Sequence, residues 1–107
     1  MILVYIPCPD EEEAKSIAIK LLNNRLIACA NIVKSKSLFL WQDKLKDEDE
    51  HILIVKSTAE KWDDIKKAVG SYHSYKIPAI IRIDAECNEK YDRWVKGEMK
   101  KGNSDKI

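Results

Sequence analysis

The order of elements in this 107-residue chain predicts an α+β protein of the ferredoxin-like sandwich type, βαββαβ with a further C-terminal helix. Three observations predict it. Short apolar runs alternate with amphipathic segments in that order. The two inner amphipathic segments are short enough to lie together on one side of a four-stranded antiparallel sheet. The strands nevertheless carry apolar residues toward both faces, so the side without helices is not built for water.

Residues 2–6, ILVYI, read as a buried strand that Pro7 and Pro9 end. Asp10 then caps a helix whose first turn holds Glu11, Glu12 and Glu13, where the helix dipole favours anions. Ala14, Ile17, Ala18, Leu21 and Leu22 form one apolar stripe that stops near Asn23 and Asn24. Residues 26–41, LIACANIVKSKSLFLW, read as one long strand with room for a bend at 34–36. The chain reverses across Gln42, Asp43 and Lys44, without a glycine to supply a primed turn, and EHILIVKS (50–57) returns as the antiparallel partner. The intervening DKLKDEDE is charged and solvated, with part of it available to lengthen the hairpin.

Ser57-Thr58-Ala59-Glu60 has the form of a capping box. Trp62, Ile65, Val69 and Tyr72 follow as the stripe of a second helix. AIIRIDA (79–85) is the fourth strand, and Asn88 caps a third helix with Tyr91, Trp94, Val95 and Met99 on one face. The polar end, residues 102–107, reads as a frayed tail of a single domain spanning 1–107.

The strand pattern carries the first functional implication. Leu53 and Val55 point one way and Ile52 and Ile54 the other; Ile80 opposes Ile81 and Ile83. Each aliphatic side chain left in water forgoes ~1.5–3 kcal/mol of burial. A patch of six to eight such groups exceeds what a soluble monomer normally shows. Either a second copy of the chain covers it or the third helix folds across it.

Composition excludes several classes. With 45% apolar and 35% charged residues the chain has a core and a charged surface, which is not the profile of disorder. Nineteen basic and 18 acidic residues leave a net charge of +1, so no general field draws nucleic acid or membrane. The N-terminus lacks the basic region and long apolar run of a signal peptide. Cys8, Cys29 and Cys87 are odd in number and far apart, which points to a reducing, cytoplasmic compartment.

Six segments together resemble the CutA divalent-cation-tolerance family across residues 2–100: VYIPCPDEEEA (4–14), RLIACANI (25–32), SLFLWQDKL (37–45), ILIVKS (52–57), HSYKIPAIIRI (73–83) and YDRWV (91–95). The resemblance implies a ferredoxin-like protomer, a PII-like homotrimer with its sheets packed around the threefold axis, and a link to copper and other divalent cations. It supplies no reaction. The chain departs from the family pattern at three places. His73-Ser74-Tyr75 stands where the family has His-Pro-Tyr, and Trp41-Gln42-Asp43 lacks the usual glycine. The cysteine that ligates metal in some members aligns with Ile6, and Cys8 shares its side only if the strand continues.

His73 is the candidate metal ligand; alternatively it is a loop histidine bonded to a neighbouring chain. Cys29 is either a soft copper ligand or a packed strand cysteine made inert by apolar neighbours. Cys8, in a turn, is expected to be exposed and reactive, Cys87 incidental, and His51 structural or on the surface. Together with Cys29 and His73, the residues Trp41, Lys56, Glu60 and Tyr75 are expected to line an intersubunit cleft for a small anionic or metal-bound ligand. The simpler alternative is an interfacial ion pair with aromatic packing.

No glycine-rich phosphate loop, Ser-His-Asp order or HExxH is present, and the acidic turn PCPDEEE would repel phosphate from the place an acylphosphatase uses. The acids at 47–50 are read as solvated. The expectation is therefore a non-enzymatic, metal-binding homotrimer that needs no resident cofactor, with a PII-like small-molecule-binding trimer as the alternative.

Overall fold

The first strand, β1 (Ile2–Cys8), sits inside the sheet rather than at its rim, and its proline is tolerated for a topological reason. The computed structural model describes residues 1–101, so the expected tail at 102–107 lies outside the described residues. The elements that follow are α1 (Glu11–Asn23), β2 (Cys29–Trp41), β3 (Lys44–Ser57), a short 3-10 turn (Ala59–Lys61) running into α2 (Trp62–Tyr72), β4 (Ile81–Asp84) and α3 (Glu89–Lys101). The strand order is β2-β3-β1-β4, antiparallel throughout, as the ferredoxin-like reading requires. Because β4 pairs only with Ile2 to Tyr5, β1 beyond that point has a neighbour on the β3 side alone. Pro7 therefore continues the strand where one ladder is already absent.

Continuation through Pro7 overturns the expectation for Cys8. Ile2, Val4, Ile6 and Cys8 alternate onto the helix-covered face, and Cys8 is fully buried, not exposed in a turn. The core they join holds Ala14, Ile17, Ala18 and Leu21 of α1, Ile27, Leu53 and Val55, and Ile65 and Val69 of α2. Leu22, one step off the α1 stripe, stays 38% exposed. Asp10 caps α1 as expected, its Oδ1 accepting the Glu13 N–H at 2.8 Å. The helix closes on Arg25 in the left-handed region, with the Leu26 N–H bonded back to the Leu21 carbonyl.

Three boundaries differ from the sequence reading. β2 begins at Cys29, because the Leu26 carbonyl is taken by the Ser57 hydroxyl at 2.6 Å and the Ala28 N–H by the Lys56 carbonyl. That same bond removes Ser57 from any capping box: Ser57 is buried, Thr58 makes no side-chain cap, and the segment enters α2 through a 3-10 turn. β4 is four residues long, shorter than the run 79–85.

The hairpin is the largest difference. β2 and β3 stay paired to Trp41↔Lys44, so the charged stretch is strand, not loop. Gln42 and Asp43 both take positive φ, 52° and 63°, giving a two-residue turn of primed type without glycine. Lys36 spans Asp47 and Asp49 across the strands, and both carboxylates hold its ammonium above its ordinary pKa.

The face without helices is apolar, as the pattern predicted. Val33, Ile81 and Ile83 are 50%, 48% and 46% exposed there, beside half-buried Leu3, Tyr5, Cys29 and Ile54. The third helix does not cover it. Val95 and Met99 of α3 are buried at the end of β3, where the Ser57 hydroxyl meets the Met99 sulfur, and Lys56 lies 5.5 Å over the Tyr91 ring.

Candidate functional site

Beyond the reach of β4, the unpaired flank of β1 is met by the loop after α2. His73 sits there with its side chain fully buried, and its Nε2 lies 2.8 Å from the Pro7 carbonyl. Its Nδ1 accepts the Tyr75 N–H at 3.1 Å. A carbonyl only accepts and a backbone N–H only donates, so the two contacts fix one neutral tautomer with the proton on Nε2. Glu13, from the first turn of α1, brings its Oε2 to 3.4 Å from Nδ1 and accepts the Ser74 N–H at 3.1 Å. Ser74 can make that bond because it has an N–H, which the proline usual in the family would lack.

Tyr75 packs tilted against His73, with ring centroids 4.7 Å apart and planes at 48°, and donates its hydroxyl to Glu50. Glu50 is only 7% exposed, so this member of the acidic run at 47–50 is not solvated; its burial is offset by that bond. Burial, then the Glu50 bond, pushes the Tyr75 phenol well above its ordinary range. The Cys8 thiol beneath is pushed up to about 12, mainly by burial and further by the carboxylates of Glu13, Glu50 and Asp10. It donates to the Ile6 carbonyl and is a neutral, inert thiol near pH 7.

Above these groups opens a cleft of about 520 Å³ between the hairpin and the 75–79 loop. Phe39 and Trp41 form its apolar wall, Tyr75 and Glu50 its floor, and Lys46, Glu48 and Lys76 its charged rim. Phe39, Glu48 and Glu50 were not singled out from sequence, although the alternation of β2 and β3 puts them on one face with Trp41. Glu13 was read only as a helix-dipole residue, and nothing local in the sequence signals that it reaches His73.

The six expected cleft residues fall into two groups. Trp41, His73 and Tyr75 gather at the hairpin end. Cys29 and Lys56 are cross-strand partners near the other end of β3, and Glu60 follows in the 3-10 turn. Lys56 lies six residue steps along β3 from Glu50, about 20 Å at ~3.3 Å each. One protomer does not unite them. Cys29 is half-buried on the apolar face; Cys87 rests its thiol on the Met1 sulfur at 3.5 Å. His51 pairs with Cys8 across the strands, and its Nδ1 is sealed from solvent without a hydrogen-bond partner among the described residues. Among the described residues no three His, Cys, Asp or Glu side chains converge in a metal-holding group.

Known proteins resemble the chain over nearly its whole length. A family model described as CutA1 divalent ion tolerance protein matches residues 2–98. The divalent-cation tolerance protein CutA of Pyrococcus horikoshii is 39% identical over 102 residues, covering 94% of this chain and 100% of the relative. The crystal structure of CutA1 from the same organism superposes with a TM-score of 0.88 at 37% identity, over 92% of this chain and 97% of that one. A CutA from Archaeoglobus fulgidus, described as a periplasmic divalent cation tolerance protein, gives 0.89 at 36% identity, over 92% and 99%.

Proposed function

The chain belongs to the CutA1 divalent ion tolerance protein family, and from that premise we propose that it is a non-enzymatic homotrimer that binds copper or another divalent cation at His73. The observation that carries the metal reading is the His73 tautomer. Its Nε2–H is held by the Pro7 carbonyl, so Nδ1 carries the lone pair, which accepts the Tyr75 N–H with Glu13 Oε2 3.4 Å away. A histidine that ligates metal through one nitrogen and donates the other to a backbone carbonyl is the usual outer-shell arrangement. A nitrogen and a carboxylate oxygen together suit copper and similar divalent ions. Two donors from one chain make a weak site; water or another copy would complete it. The ion would displace the Tyr75 N–H from Nδ1, which couples binding to the loop that floors the cleft.

Titration with copper, monitored by calorimetry, tests this on the native chain and on Glu13→Gln and His73→Asn. Glu13 is 19% exposed at its side chain, so its variant separates ligation from folding. The expected result is a loss of at least about tenfold in affinity for each. Unchanged affinity in both variants removes the site.

The trimer reading rests on the uncovered apolar face, and the family's divalent-cation association fits a protein without catalytic machinery. Three free cysteines support a cytoplasmic setting, and no described helix is long and apolar enough to cross a membrane. A second reading, a PII-like trimer sensing a small molecule, is favoured by one feature: the aromatic wall of Phe39 and Trp41 beside two lysines and two glutamates in the 520 Å³ cleft. In the trimer, Cys29, Lys56 and Glu60 of one copy would approach Trp41 and Tyr75 of the next.

A further inference from the structure

At the opposite end of β3 from His73 lies a second cavity, of about 510 Å³, lined by Thr58, Glu60, Lys61, Lys96, Met99 and Lys100, with Met1 and Ala59 at its margin. We propose that this cavity binds a small phosphate-bearing anion, which enters by displacing the Glu60 carboxylate.

Three lysines and one glutamate line the cavity. Lys96 is shared with Asp92, 2.9 Å away on the same helix, whereas Lys61 and Lys100 have no ion-pair partner among the described residues. Thr58 is 6% exposed, and its Oγ1 is sealed from solvent without a partner in hydrogen-bond geometry. A buried hydroxyl left in that state wants an acceptor. The acid beside it is Glu60: the Thr58 hydroxyl is close enough to hold its carboxyl below the ordinary range without being aligned as a hydrogen bond, and its own backbone N–H and, more weakly, Lys96 and Lys61 act the same way. The cavity thus already favours a negative group, and Glu60 stands in it as a tethered substitute near, but not on, the hydroxyl.

Tethering decides the ligand class. An intramolecular carboxylate has a high effective concentration, so a free monocarboxylate would not displace it. A phosphate dianion brings twice the charge and three acceptor oxygens, enough for the lysines and the hydroxyl together. The volume leaves room for a small organic body on the phosphate. Metal takes no part, so this inference stands apart from the cation reading.

The test is amide NMR of the full chain, without added metal, titrated with inorganic phosphate and separately with glucose 6-phosphate at constant ionic strength. Saturable shifts confined to residues 58–61 and 96–100 are expected. Lys61→Ala and Lys96→Ala should each weaken binding about fivefold, and Glu60→Gln should tighten it about fivefold, from one screened charge at contact distance. Glu60 and Lys96 are exposed and Lys61 is half-buried, so none of the three changes removes a core side chain. Tighter binding of the ester than of phosphate identifies an organic phosphate as occupant; equal binding identifies free phosphate. The proposal is overturned by shifts that do not saturate or that spread over the other lysines. It is also overturned if Glu60→Gln fails to tighten binding.

Discussion

Replacing Ile83 by lysine is the sharpest test of the apolar face. Ile83 is 46% exposed in the protomer, so roughly half of the ~1.5–3 kcal/mol available from burying it, about 1 kcal/mol, awaits a cover. Val33 and Ile81, 50% and 48% exposed, add similar amounts, giving ~3 kcal/mol per protomer from three side chains. Association of proteins costs ~4–15 kcal/mol in lost freedom, so these three alone do not decide it; Leu3, Tyr5 and Ile54 must be covered as well. A lysine at 83 forfeits its own share and, in a threefold assembly, carries three ammonium groups into the interface, at several kcal/mol each. The protomer itself tolerates the change, because that side chain already half meets water. Sedimentation equilibrium should show three times the 12.4 kDa chain mass for the native protein and a single chain mass for Ile83→Lys, with far-UV circular dichroism retained. Native material at 12.4 kDa, or an Ile83→Lys variant that keeps the threefold mass, would refute the reasoning.

Other consequences concern the protomer. The Cys8 thiol is raised from 9.0 to about 12 in the fold, so between those values the folded state holds a proton that the unfolded chain loses. Stability therefore falls as pH rises above 9, and Cys8→Ala should flatten part of that slope, with Tyr75→Phe removing more, as read by thermal melts at stepped pH. A thiol reagent at pH 8 should leave Cys8 unmodified until the chain is denatured, as mass spectrometry of the labelled peptide will show. Gln42→Asn with Asp43→Gly relieves two residues at φ 52° and 63° and should stabilise the protein by about 1 kcal/mol in urea unfolding. Ser57→Ala leaves the Leu26 carbonyl without its 2.6 Å bond and should cost about 1–3 kcal/mol by the same measurement.

The fold was legible where one local rule acted alone. The Asp10 cap, the Ala14 to Leu21 stripe and the antiparallel order follow from period and capping, and tertiary contacts had no reason to override them. It was illegible where a residue answered to a distant partner. Ser57 has the sequence of a helix cap, yet the nearest need was the Leu26 carbonyl, 31 residues away in the chain. Pro7 reads as a strand end, yet the shortness of β4 removes the ladder it would have broken. The charged hairpin reads as loop because Lys36 and its two aspartates look polar in sequence and pair only once the strands are in register.

The site illustrates the same limit more strongly. His73 stood out by residue type, but its meaning depends on Pro7 and Glu13, 66 and 60 positions earlier, and on a tautomer that the Pro7 carbonyl and the Tyr75 N–H set. The family resemblance brought Cys29, Lys56 and Glu60 into the same cleft, and the protomer keeps Lys56, with its cross-strand partner Cys29, about 20 Å along β3 from Glu50, which holds the Tyr75 hydroxyl. An extended β3 cannot fold back to close that gap, since its register with both β1 and β2 is fixed by the core. If these residues share one site, as proposed, a second copy on the uncovered face is what would bring the two ends of β3 together. If dissociation by Ile83→Lys leaves the affinity for copper unchanged, the cation is held by His73 and Glu13 within one chain. If affinity falls with the assembly, the neighbouring copy completes the ligand set.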